Sequence, residues 1–298
     1  MRAPQQQRSS AAVRHGLELG LIGVAAIWGA TFVTVKEAVK HVPVFEFLAL
    51  RFGLAAIVMT AVFWRQLREL SPEGVRAGLL AGLTLFGGYV FQTVGLQYTK
   101  ASSAGFVTGL FVVIAPVLST VVLKRRPSGP VLFAVAVATA GLALLSMTHG
   151  FQLRYGDSIV LGAAVCFALQ IVVLARYAPE HSPAALTVVQ MWVAAVLATL
   201  VAPIVAPLSA PTHHDVLIGV VITGLFASAL AFLIQTLAQR YVSPTRTAVI
   251  LGAEPAFAGL FGIVLLDERL TTRGWIGAGL ILAGMLIAEL APHRDTEG

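Results

Sequence analysis

Charge is what this sequence has least of. Only 11% of its 298 residues are Asp, Glu, Lys or Arg, under half of the roughly 25% carried by a soluble domain. That deficit leaves too little polar surface to solvate a globule, so lipid must be the solvent for much of the chain. Cysteine is nearly absent as well. The single Cys166 excludes an internal disulfide, and its apolar surroundings mark a packed thiol rather than a reactive one. No GxxxxGK[ST] loop is present, which excludes direct ATP hydrolysis by this chain. Paired carboxylates, a His/Glu metal constellation and a nucleophile elbow are missing too, so the chain does not read as an enzyme and implies no catalytic residue and no cofactor.

Apolar residues are what is there, at 57% of the chain. They fall in ten stretches, at about 17–35, 44–64, 75–96, 102–123, 129–148, 157–175, 184–205, 216–238, 245–266 and 274–290. Each approaches the roughly 20 residues that a helix needs to cross a 30 Å hydrocarbon layer. Backbone in lipid must satisfy its own hydrogen bonds, which makes these segments helices and the chain an all-α integral membrane protein. The breaks carry Pro, Gly or charge, as in His41-Val42-Pro43, Ser71-Pro72-Glu73-Gly74 and Lys124-Arg125-Arg126-Pro127. Residues 1–16 are polar and basic and read as a disordered cytoplasmic arm. The apolar run after them is too long for a signal-peptide core and has no small-residue cleavage site, so it reads as a retained anchor.

Orientation follows from Lys and Arg. With the N-terminus inside, thirteen basic residues lie in inside loops and tails and six outside, with Arg51 left within a span. This bias places both termini in the cytoplasm. It also explains the net charge of +6 without a nucleic-acid partner, because the cations sit at segment ends rather than in one patch.

The chain repeats itself. At an offset of 143, Gln92-Thr93 falls on Gln235-Thr236, Tyr98 on Tyr241, Gly109 on Gly252 and Ala140-Gly141 on Ala283-Gly284. Earlier helices match at a slightly smaller shift, with Pro43 on Pro183 and Trp28 on Phe167. The expected division is a first five-helix unit over 17–149, a second over 150–290 and a cytoplasmic tail at 291–298. A unit with an odd number of spans must insert the second time upside down, which is the inverted repeat of alternating-access carriers.

These pieces resemble the EamA-type family of the drug/metabolite transporter superfamily. The matching residues are Trp28-Gly29-Ala30-Thr31-Phe32, Pro43 with Leu50-Arg51-Phe52, Ala101-Ser102-Ser103-Ala104-Gly105-Phe106, and Glu254-Pro255 followed by Asp267-Glu268-Arg269. The resemblance covers about 17–290. It implies ten helices in two inverted halves around a central cavity, through which small organic solutes leave the cytoplasm. Members handle amino acids, nucleosides, sugars and toxic compounds.

Polar residues inside spans need a reason, since a mid-span charge costs about 2.5–3.5 kcal/mol on insertion scales. Glu254 is followed by Pro255, which removes a backbone donor and loosens the helix. A carboxylate there could exchange a proton during transport or serve as a structural cap. Arg51 lies eight residues past Pro43, about 12 Å down its helix. Its repeat mate is Met191 and that of Glu254 is Phe111, so the scaffold does not require either charge twice. The two could form a gate pair, the poles for a zwitterion, or a static ion pair. Gln92, Gln97, Gln170, Gln190, Gln235 and Gln239 supply amides that would be unsatisfied in lipid, while Trp28, Tyr89 and Phe91 supply aromatic faces or simple packing. Glu46 reads as an interface residue. His213-His214-Asp215 lacks further nearby ligands, and no metal is expected there.

The leading expectation is a secondary active transporter in the cytoplasmic membrane, exporting amino acids or related metabolites by alternating access, with protons as a candidate coupling ion. A passive facilitator or channel is the alternative, and a membrane-embedded enzyme a remote one.

Overall fold

The computed structural model describes residues 3–96, 98, 105, 107–124, 126–146, 155–209, 211–266 and 271–291, and every regular element among them is helical. The first half holds α1 (Ala3–Ala38), α2 (Val44–Arg68), α3 (Pro72–Leu96), α4 (Phe111–Leu123) and α5 (Gly129–Ser146). The second holds α6 (Tyr155–Tyr177), α7 (Pro183–Val205), α8 (His214–Ala238), α9 (Pro244–Leu251), α10 (Glu254–Leu266) and α11 (Thr272–Leu290). Six helices are long and apolar enough to cross a membrane: α2, Pro72–Gln92 of α3, α6, α7, α8 and α11. Val107–Leu123 and Gly129–Leu145 are apolar but shorter. The chain is a multi-pass membrane protein. Helix α1 starts at Ala3, inside the stretch expected to be an irregular arm; no proline or glycine interrupts residues 5–15, so nothing local stops the helix from extending.

Serine-proline pairs start three helices. Ser71 accepts from the backbone N–H of Gly74, Ser182 from Ala185 and Ser243 from Arg246, while the following proline occupies a position whose N–H would be unused. These starts share one face of the bundle, the terminal face. There Ser182 donates to Gln66 at the end of α2 (3.1 Å), and Arg240 at the end of α8 reaches the Pro179 carbonyl. On the opposite face Ser209 reaches Glu46 near the start of α2, and Tyr98 meets Tyr155 at the start of α6. Helices α1, α3 and α7 therefore run away from the terminal face, and α2, α6 and α8 return to it. Thus α1 runs against its repeat mate α6, and α2 against α7: the second half is inverted relative to the first.

The halves interlock through mate-on-mate contacts. A Cβ on Gly141 of α5 would meet the Gly277 carbonyl at 2.6 Å, and one on its mate Gly284 of α11 would meet the Ala134 carbonyl at 2.9 Å. Only glycine permits this approach of the two backbones. Both halves also break their fourth helix at one repeat position. Leu110 interrupts Val107–Leu123, and Gly252-Ala253 separates α9 from α10; Leu110 and Ala253 are 143 residues apart. The loosening expected at Glu254-Pro255 is thus a full break, with Pro255 in the first turn of the new helix, where a missing N–H costs nothing. Interior side chains form two main apolar clusters, and Trp28 and Phe167 pack against both. The candidate site lies along that seam.

Candidate functional site at the seam between the repeats

Two aromatic pairs frame the seam. Trp28 of α1 meets Phe232 of α8 with ring centroids 5.2 Å apart, and Tyr89 of α3 meets Phe167 of α6 at 5.6 Å. Trp28 and Phe167 are repeat mates, and so are Tyr89 and Phe232 at the offset of 143. One contact is therefore the inverted image of the other, and the aromatic frame belongs to the symmetric scaffold. The expected Trp28 and Tyr89 are both in it.

The polar groups break that symmetry. Arg51 is 5% exposed, and its Nε and Nη2 donate to Ser228 Oγ at 3.1 and 2.9 Å. Its guanidinium lies 5.1 Å from the Phe52 ring and 5.4 Å from the Tyr89 ring, within cation–π range. The Tyr89 hydroxyl lies beside Arg51 and within electrostatic reach of Glu254. Glu254 is half-buried at the first turn of α10, where Gly29 of α1 approaches its carbonyl so closely that a Cβ would sit 3.0 Å away. Among the described residues no ion pair joins Arg51 to Glu254. The repeat mates of Arg51, Ser228 and Glu254 are Met191, Leu85 and Phe111, all apolar. Arg51 and Glu254, residues of opposite charge type, thus both border the aromatic seam around Tyr89 without forming an ion pair.

Ser228 belongs to an eight-residue π-helical stretch, Thr223–Leu230, inside α8. Such stretches are rare and frequent at functional sites. Trp28 Nε1 donates to the Ala227 carbonyl at 2.8 Å, so two first-half residues, Trp28 and Arg51, are held by consecutive residues of this stretch. Ser228 was not legible from the sequence, because a serine within Phe226-Ala227-Ser228-Ala229 resembles any small packing residue.

The glutamines divide into two environments. Gln235 Nε2 donates to Gln170 Oε1 at 2.9 Å, Gln170 Nε2 to Gln190 Oε1 at 3.0 Å, and Gln239 Nε2 to the Ile171 carbonyl at 2.7 Å. All four are at most 2% exposed and tie α6, α7 and the end of α8 together near the terminal face. Thr187 and Thr236 extend this layer with a hydroxyl pair at 3.1 Å. Gln92, the repeat mate of Gln235, is half-buried and donates to Thr108 at 3.3 Å. Gln97 and residues 101–104, 106 and 267–270 lie outside the described residues. Phe91 is 43% exposed, packed over Gly162 away from the seam.

A buried ion pair reinforces the terminal face. Arg246, counted with the loop cations in the sequence, lies instead in the first turn of α9 at 3% exposure. Its Nη1 donates to Glu18 Oε1 of α1 at 2.8 Å and to the Glu289 carbonyl at 3.3 Å, and its Nη2 to the Ala291 carbonyl at 2.5 Å. One guanidinium thus joins the middle of α1 and the start of α9 to the end of α11. Removing it leaves the Glu18 carboxylate buried, so Arg246→Met is expected to cost about 3–5 kcal/mol of stability. Glu18→Gln in the same chain should recover most of that loss. Chemical unfolding of the two variants in detergent measures both effects.

This is the architecture of a polytopic helical membrane protein, with inverted halves, broken helices and a polar seam between them. The EamA-like transporter family matches residues 17–147 and again 154–289, and the chain belongs to that family. An uncharacterised transporter of Archaeoglobus fulgidus is 34% identical over 96% of this chain and 90% of its own length. The threonine/homoserine exporter RhtA of Escherichia coli is 26% identical over 93% of this chain and 92% of its own. A solved crystal structure superposes with a TM-score of 0.79 over 92% of this chain and 96% of its own, at 20% identity.

Proposed function

We propose that this transporter exports amino acids or closely related zwitterionic metabolites across the cytoplasmic membrane by alternating access. The observation that carries the reading is the pair of opposite, unneutralised charges at the seam. Arg51 presents a planar fork suited to a carboxylate, Glu254 offers a carboxylate suited to an ammonium, and Tyr89 is within reach of both. The kinship with an exporter named for threonine and homoserine points to the same cargo class. The terminal face is the cytoplasmic one in this reading, by its share of lysine and arginine. Its glutamine layer and the Arg246–Glu18 pair form the closed cytoplasmic gate, and the looser Gln92–Thr108 contact belongs to the outer pathway.

The purified protein in proteoliposomes tests this. Uptake of labelled threonine should saturate and should accelerate when unlabelled threonine is loaded inside. Flux that neither saturates nor shows counterflow would identify a passive facilitator, and absence of flux for every amino acid would remove the cargo class. A reporter fused at Gly298 and active only inside the cell is expected. Activity only outside would invert the topology and exchange the two gates.

A further inference from the structure

One motif remains outside the transport site. His213-Asp215 does not stand alone in three dimensions, because the turn after α1 brings His41 onto it from the first half. The imidazoles of His41 and His213 stack with centroids 3.7 Å apart and planes 10° from parallel. Asp215 Oδ2 lies 3.8 Å from His41 Nε2 and 3.5 Å from His213 Nδ1. His214 Nδ1 is 3.9 Å from the other carboxylate oxygen. One ligand atom from each of His41, His213 and Asp215 falls within 4.8 Å of the other two.

We propose that His41, His213 and Asp215 form a divalent transition-metal site of the zinc class that clips the two halves together on the face opposite the termini. Zinc bonds of about 2.0–2.1 Å in a tetrahedron put neighbouring ligand atoms about 3.4 Å apart, so the two imidazole–carboxylate separations of 3.8 and 3.5 Å need to close by only a few tenths of an ångström. His213 Nδ1 accepts the Asp215 backbone N–H at 3.3 Å. That nitrogen is the deprotonated one of the ring, and a metal would take its lone pair over from this backbone N–H. The rings must splay for both lone pairs to meet one ion. His41, at 36% side-chain exposure, and His213, at 49%, have room to do so.

The ground beneath the cluster is firm. Ala38, Val42, Phe47 and Val216 form a buried apolar knot directly under it, and a Cβ on Gly219 would come within 2.9 Å of that of Ala38. The ligands thus stand on helix ends that already pack. Two further carboxylate–histidine groupings contrast with it. At His15-Glu18-Glu289 the Arg246 guanidinium already occupies Glu18, and at Glu73-Glu180-His181 Arg176 holds Glu180 at 2.5 Å. Among the described residues no lysine or arginine pairs with Asp215. The N, N, O donor set, with room for water to complete the shell, suits zinc above magnesium or calcium.

Zinc titration of the purified full-length protein by calorimetry decides the matter. Wild type should saturate at one ion per chain. His41→Ala, His213→Ala and Asp215→Asn should each weaken binding at least tenfold, with unchanged elution on size exclusion. Zinc should also raise the thermal midpoint of wild type but not of His41→Ala. Binding that survives His41→Ala undiminished, or the absence of a saturable site in wild type, overturns the proposal. Neither result bears on the seam, because no transport is measured.

Discussion

Replacing Arg51 by lysine is expected to cut amino-acid counterflow roughly ten- to hundredfold while the protein still folds. The charge is conserved, so the loss isolates the geometry. A hydrogen bond to a charged group contributes about 1.5–3 kcal/mol, and an ammonium cannot reproduce the two parallel bonds that a guanidinium offers a carboxylate. Folding survives because the partner of Arg51 is the neutral Ser228 hydroxyl, bound at 2.9 and 3.1 Å, and lysine can still donate to it. Arg51→Met should likewise cost only about 1–3 kcal/mol, the penalty for an unsatisfied neutral group. A carboxylate orphaned from an ion pair would cost more, as at Arg246. Near-normal counterflow in Arg51→Lys would reduce Arg51 to bulk positive charge.

The second large effect concerns pH. Arg51, Tyr89 and Glu254 are the ionisable side chains that meet at the seam. Of these, Glu254 is the group proposed to take up and release a proton during transport. A proton-coupled flux changes by up to about tenfold per pH unit where the coupling group titrates. Glu254→Gln keeps the shape and fixes the neutral form, so its flux should be slower and flat from pH 5 to 8. A variant as pH-sensitive as wild type returns Glu254 to a structural role. Combined with Arg51→Met, it should show a stability coupling under about 0.5 kcal/mol, as for residues that share no contact, yet non-additive losses in flux. Strong coupling in stability with normal flux in the double mutant would mark a static pair.

Much of this is legible in the amino-acid sequence. Hydrocarbon demands helices about 20 residues long, so composition and Pro/Gly breaks located most spans, and the offset of 143 revealed the repeat. The same offset carries Tyr89 onto Phe232, a match that identifies the second aromatic pair once sought. Arg51 and Glu254 stood out because charge inside a span is rare. What stayed hidden depends on distant partners. Ser228 matters only through Arg51, 177 residues earlier, and Arg246 only through Glu18, 228 residues earlier. An arginine two residues past a helix-starting Ser-Pro counts as a loop cation until the fold buries it. His41 equally gains meaning only when the inverted packing sets it on His213. The absence of an Arg51–Glu254 ion pair is likewise a property of packing, which no residue pattern encodes.

The central claim is that the seam reads both charges of a zwitterion, and competition in proteoliposomes tests it most directly. Counterflow of labelled threonine is measured against unlabelled threonine, its methyl ester, which lacks the carboxylate, and its N-acetyl derivative, which lacks the ammonium. Wild type should be inhibited by threonine and hardly by either derivative. Arg51→Met should lose its preference for threonine over the ester, and Glu254→Gln its preference over the N-acetyl form. If both derivatives compete as well as threonine in wild type, or if neither substitution changes the ranking, Arg51 and Glu254 do not form the recognition site.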